Sequence, residues 1–90
     1  MSTRAERIRA ALQAGFAPVT LEIEDQSGRH AHHGERMGLK PGETHYAVTM
    51  AAESLRALSR VERSRAVHEA LKAEFEAGLH ALALNLSVPD

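Results

Sequence analysis

Along this sequence the apolar residues switch between the helical and the strand period, and that switching admits few folds. Thr3 and Glu6 form a capping box, in which each side chain can bond the other residue's backbone N–H, and Ala5, Ile8, Ala11 and Leu12 follow at helical spacing. Gly15 is expected to take the left-handed conformation that ends this helix, and Pro18 blocks its resumption. Residues 19–24 alternate apolar and polar, which predicts a strand with one buried face. Residues 25–43 form a long polar connection containing Gly28, Gly34, Gly38, Pro41 and Gly42. Residues 45–51 are the second strand, with Tyr46, Val48 and Met50 on one side, and the simplest pairing with the first is an antiparallel hairpin.

Residues 52–58 read as a short helix. A second capping box, Ser59 with Glu62, then starts a longer helix whose apolar positions are Val67, Ala70, Leu71 and Phe75 and whose end is Gly78. Residues 80–86 alternate leucine with small or polar residues and read as a half-buried strand with Leu82, Leu84 and Leu86 facing the helices. The order is α-β-β-α-α-β. The expected fold is α/β of the α+β kind: a small three-stranded mixed sheet with helices packed on one face, because each element has one apolar face to cover. Residues 1–90 are expected to form a single domain. The apolar pattern leaves the strand order open.

Composition limits the function classes. Only Phe16, Tyr46 and Phe75 are aromatic, so stacking platforms for single-stranded nucleic acid are scarce. The formal charge is −1, which gives no general attraction to nucleic acid or to anionic membrane. There is no cysteine, and therefore no disulfide, thiolate nucleophile or thiolate metal ligand. No segment reads as a signal peptide or a membrane span, so no membrane partner is expected and the cytoplasm is the expected location.

The compositional oddity is six histidines, namely His30, His32, His33, His45, His68 and His80. Imidazole suits zinc, iron, copper or nickel, but a site needs several rings to converge. His32 and His33 are equally readable as solvated loop residues, His68 as a structural helix residue and His45 as a hydrogen-bonded strand opener. His80 stands out because it follows the helix-ending glycine at the start of the last strand. Alternation points it with Leu82 and Leu84, yet its place at a sheet edge near the surface leaves a ring nitrogen free for a partner.

Catalytic constellations are weak. The serines lack a nucleophile elbow, Glu22 and Glu24 read as a solvated strand face, and residues 34–42 lack the features of a phosphate-binding loop. A non-enzymatic role is therefore expected. Arg56, Arg60, Arg63 and Arg65, opposed by Glu62, form a basic run across a helix–helix junction. That run is either an ordinary exposed face or a source of phosphate contacts.

Taken together, these motifs resemble the BolA family over nearly the whole chain. The resembling segments are Phe16 to Val19, Glu24 to His30, Gly42 to Tyr46, the helix from Leu58 to Leu71 and, most specifically, the His-Ala-Leu segment that begins at His80. The resemblance implies a fold like the class II KH domain. It also implies pairing with a monothiol glutaredoxin, the two proteins sharing a [2Fe–2S] cluster with glutathione, in iron–sulfur trafficking or in iron or redox sensing. On that reading His80 and the loop residue His30 ligate one iron, and His32 or His33 are alternates for the second position. Two imidazoles on one iron is the Rieske pattern, in which neutral ligands raise the reduction potential. No cluster is expected in the isolated chain, which is expected as a monomer or weak homodimer.

The alternative that the family offers is a DNA-binding transcriptional regulator working through Arg56, Arg60, Arg63 and Arg65. The chain departs from the family pattern in two places. Ser64 stands between Arg63 and Arg65 where a histidine is usual, and the loop carrying His32 and His33 is longer than the common form. No Gly-x-x-Gly clamp of the KH type occurs at the helix junction, which argues against RNA binding of that kind.

Overall fold

A computed structural model describes residues 3–26 and 44–90. The elements are α1 (Arg4–Phe16), β1 (Thr20–Asp25), β2 (His45–Ala51), a 3₁₀ turn (Glu53–Leu55), α2 (Arg60–Ala70), α3 (Lys72–Glu76) and β3 (Ala81–Ser87). The class and the three-stranded mixed sheet are those expected from the sequence, while the helices between β2 and β3 differ from the expectation. His30, His32 and His33 lie outside the described residues.

The sheet order is β1-β2-β3, with β1 antiparallel and β3 parallel to the central β2. Tyr46, Val48 and Met50 are buried at its centre, flanked by the partly buried Leu21, Ile23, Leu82, Leu84 and Leu86. Ile8 and Leu12 of α1, Leu55, and Val67 and Leu71 of the later helices complete the core. The opposite face carries Glu22, Glu24, Thr49, Ala83 and Asn85, all exposed. One covered face and one open face follow from the period-two pattern of every strand.

Both capping boxes form. Thr3 Oγ1 accepts from the Glu6 N–H at 3.2 Å, and Ser59 Oγ accepts from the Glu62 N–H at 3.1 Å. The reciprocal bonds of Thr3 and Ser59 N–H to the two carboxylates also form, and the Ser59 bond holds the Glu62 carboxyl below the usual range.

Several local expectations need correction. The first helix continues through Gly15 to Phe16, and the left-handed residue is Ala17, with φ 48° and its N–H bonded to the Gln13 carbonyl. Residues 52–58 are not a helix beyond the short turn. Ala52 N–H is still tied to the Ser87 carbonyl of β3, and Ser59 must be extended to cap α2, leaving room only for i→i−3 bonds. The long helix breaks at Leu71, whose φ of −104° interrupts it while its side chain is fully buried. Ala70 is exposed rather than in the core.

Gly78 does end α3. With φ 118°, it lets its N–H reach the Phe75 carbonyl and the Leu79 N–H reach the Glu74 carbonyl, the paired bonds of a Schellman motif. Leu79 is thereby pulled into the core and His80 emerges at the surface immediately before β3.

Candidate functional site

The parallel pairing of β2 with β3 brings two histidines together. His45 opens β2 opposite Ala81, so His80 lies next to it across the strands. The Thr44 carbonyl accepts from both the His80 N–H (2.8 Å) and the Ala81 N–H (3.1 Å), fixing the two chain segments to each other. The imidazole centroids are 6.1 Å apart, with the ring planes at 72°. Two imidazoles on one tetrahedral ion stand roughly 5 Å apart, given metal–nitrogen bonds of about 2.0–2.1 Å. The observed separation is about 1 Å wider than that.

Thr44 also sets the chemistry of its neighbour. Its Oγ1 lies 2.9 Å from His45 Nδ1. In the tautomer that suits ligation, Nδ1–H donates to this hydroxyl oxygen and the lone pair lies on Nε2. A ligating histidine held by a second hydrogen bond is the arrangement that metal sites commonly use.

The sequence marked His80 but read His45 as a structural strand residue. The signal that could have found it was its place at the start of β2, although only the parallel register puts it beside His80. Among the described residues no group of three or more metal-ligating side chains converges. Two imidazoles are at most half of a tetrahedral ligand set. At the same end of the sheet the Gln26 N–H bonds the His45 carbonyl at 2.8 Å, so the connection that carries His30, His32 and His33 leaves β1 at Gln26 and returns at Thr44 beside the pair.

His68 has a structural role. Its Nδ1–H donates to the Ser64 carbonyl at 2.8 Å and its ring stacks on Phe75 with centroids 5.4 Å apart.

The basic run divides in two. Arg56 is paired with Glu53 at 2.6 Å and donates to the Pro89 carbonyl, and the pairing lowers the Glu53 pKa and raises that of Arg56. Arg63 Nε is shared between the Leu55 and Leu58 carbonyls at 2.9 and 3.0 Å. Arg60 and Arg65 are exposed. Arg60 and Arg63, with Ser64, line a groove of about 410 Å³ against Leu84, Asn85 and Leu86 of β3.

A partly buried ionic cluster joins α1 to α3. Arg4 Nε donates to Glu74 Oε1 at 3.0 Å and Arg7 Nε to Oε2 at 3.0 Å, while Arg4 also bonds the Ala77 carbonyl at 2.8 Å. The hydrogen bonds from Arg7 and then Arg4 hold the Glu74 carboxyl below the usual glutamate range against the opposing effect of burial. The cluster clamps the first turn of α1 to the end of α3, the turn that delivers His80.

Comparison with known proteins agrees with this architecture. A family profile described as BolA-like protein matches residues 12–90. The chain is 37% identical over 89 residues to Protein BOLA1, chloroplastic, of Arabidopsis thaliana, covering 99% of this chain and 56% of that protein. It is 35% identical over 91 residues to SufE-like protein 1, chloroplastic/mitochondrial, of the same plant, covering 99% of this chain and 24% of that one. The solved structure of BolA1 from Arabidopsis thaliana superposes with a TM-score of 0.87 at 37% identity, covering 99% of this chain and 95% of the other. The chain thus spans about half the length of the first of these relatives and a quarter of the second. Both are named as organellar proteins, so family membership does not by itself specify the cytoplasm. Among the described residues no helix is long and apolar enough to cross a membrane. With the family profile, relatives matched along nearly the whole of this chain and the superposed fold in agreement, this chain belongs to the BolA-like protein family.

Proposed function

We infer that this chain is a non-enzymatic BolA-like protein that shares a [2Fe–2S] cluster with a monothiol glutaredoxin and glutathione. The observation that carries the reading is the His45–His80 pair, which among the described residues has no third metal-ligating side chain beside it. The donor set fits that group: two neutral imidazoles suit one iron, and a chain without cysteine has no thiolates for the other. When bound, the cluster supplies an electron-accepting or transferable iron–sulfur unit. His80 presents its ring to the partner from the turn after Gly78, and Thr44 orients His45 behind it. His30, His32 and His33 are the competing candidates for the second ligand position beside His80.

The test is to mix the chain with cluster-loaded monothiol glutaredoxin and record visible absorption and circular dichroism. The expected result is a spectrum distinct from that of glutaredoxin alone, abolished by His80→Ala and strongly altered by His45→Ala. A spectrum identical to glutaredoxin alone rejects the reading. An effect of His30→Ala with none of His45→Ala moves the second ligand into the loop.

The DNA-binding alternative is the weaker reading, because Arg56 is already paired with Glu53 and bonded to the Pro89 carbonyl.

A further inference from the structure

The second feature of interest lies towards the far end of β3 from His80 and is independent of the cluster reading. β3 is an edge strand, paired only with β2 among the described residues. The Ala81 N–H and the Ser87 carbonyl both face β2, so by alternation the N–H and C=O groups of Leu82, Leu84 and Leu86 point outward. Edge strands are normally protected by charge, proline or a bulge. Residues 81–87 contain no charged residue, proline or glycine. Among the described residues no strand pairs with this edge.

Beside it runs the groove lined by Arg60, Arg63 and Ser64 on one face of α2 and by Leu84, Asn85 and Leu86 on β3. No carboxylate is among these residues. The Arg60 side chain makes no hydrogen bond or ion pair with any described residue, and Arg63 is anchored through Nε, with no bond from its terminal nitrogens to a described residue. An open backbone ladder with two cations alongside is matched by an extended segment that carries acidic side chains. Main-chain bonds give such a segment its affinity and the alternating side chains give it specificity.

The geometry points to β3 as a docking edge for an extended acidic peptide segment of a partner protein, its backbone pairing with Leu82, Leu84 and Leu86 and its carboxylates seated against Arg60 and Arg63. A second copy of this chain fits less well, because pairing β3 with β3 would bring two Arg60–Arg63 sets onto one short edge. Single-stranded nucleic acid fits less well too. It cannot complete a strand ladder, and no aromatic ring lines the groove to stack a base.

The test uses the isolated chain without cluster or glutaredoxin, so its failure leaves the cluster reading untouched. The probe is a labelled peptide of alternating threonine and valine that ends in aspartates. A peptide with asparagines in their place and a single-stranded oligonucleotide serve as comparisons. Binding is followed by fluorescence anisotropy, and amide exchange is followed by NMR. The expected result is saturable binding of the acidic peptide with slowed exchange at Leu82, Leu84 and Leu86, weakened roughly tenfold or more by Arg60→Glu. Arg60 is the first residue of α2, where a negative side chain suits the helix dipole, so this variant is expected to remain folded. Equal binding of the asparagine peptide, a preference for the oligonucleotide, unchanged exchange at the three leucines, or dimerisation of the chain through this edge overturns the proposal.

Discussion

Arg4 Nε and Glu74 Oε1 lie 3.0 Å apart with their side chains only 10% and 11% exposed, joining the first turn of α1 to the last helix before His80. Glu74→Gln leaves the Arg4 guanidinium buried without its counter-charge. Breaking a buried pair from one side costs about 3–5 kcal/mol, a large share of the roughly 5–15 kcal/mol available to a small domain. Urea denaturation of the variant is expected to show a midpoint lowered accordingly. Glu53→Gln, which breaks the exposed pair with Arg56, is expected to shift the midpoint little.

The same cluster sets an acid limit. Hydrogen bonds from Arg7 and Arg4 depress the Glu74 pKa in the folded chain. A depressed carboxylate stabilises the fold fully above its unfolded pKa of about 4.3, and that stabilisation is lost as pH falls through the lower folded value. The difference in unfolding free energy between the natural chain and Glu74→Gln should therefore be constant from neutral pH to about 5 and shrink below about 4.3. Denaturation series at stepped pH measure it. A difference that grows on acidification contradicts the assignment.

The end of α1 yields a paired prediction. Gly15 is helical with open space where a Cβ would go, so Gly15→Ala should stabilise the chain by roughly 0.5–1 kcal/mol. Ala17 is left-handed at φ 48°, where a side chain costs about 1–2 kcal/mol, so Ala17→Gly should also stabilise, by somewhat less than that. If Gly15 were the left-handed terminus, as its sequence position suggests, Gly15→Ala would destabilise instead. Thermal melts of the two variants distinguish these outcomes.

The Thr44 hydroxyl gives a test of the histidine pair that leaves both rings in place. Thr44→Val removes the partner of His45 Nδ1 while keeping a side chain of similar shape. Loss of such a supporting bond commonly costs about 10–100-fold in metal affinity, so if the chain shares a cluster as proposed, that cluster should be released about tenfold faster or more, measured as the decay of its visible circular dichroism. Thr44→Ser, which keeps the hydroxyl, should restore retention. Equal decay in all three chains removes Thr44 from the site.

Much of the fold was legible because its signals act over a few residues. The capping boxes at Thr3 and Ser59 need only a partner three positions on, and Gly78 needs only the freedom to adopt φ 118°. The errors arose where a local preference met a tertiary demand. Gly15 could have ended α1, but the chain holds helix for one more residue to Phe16, which packs partly buried against the core, and turns at Ala17. A continuous helix through Leu71 was locally acceptable, and the structure interrupts it there, with Leu71 in the core and Glu74 bonded to Arg4 and Arg7.

The site divides the same way. The sequence alone determined that His80 would follow a glycine-ended helix and open the last strand, because turn chemistry and leucine alternation are encoded next to it. Alternation also placed its ring with Leu82, and there the structure decides otherwise, since the strand starts at Ala81 and His80 is exposed ahead of it. That His45 stands beside His80, and that Arg60 and Arg63 border an open edge, follow only from β3 pairing parallel to β2 with α2 packed against it. Such pairings join residues far apart in the chain. They are fixed by how the apolar faces of all the elements close over one core, and a periodic pattern within one element carries no record of that closure.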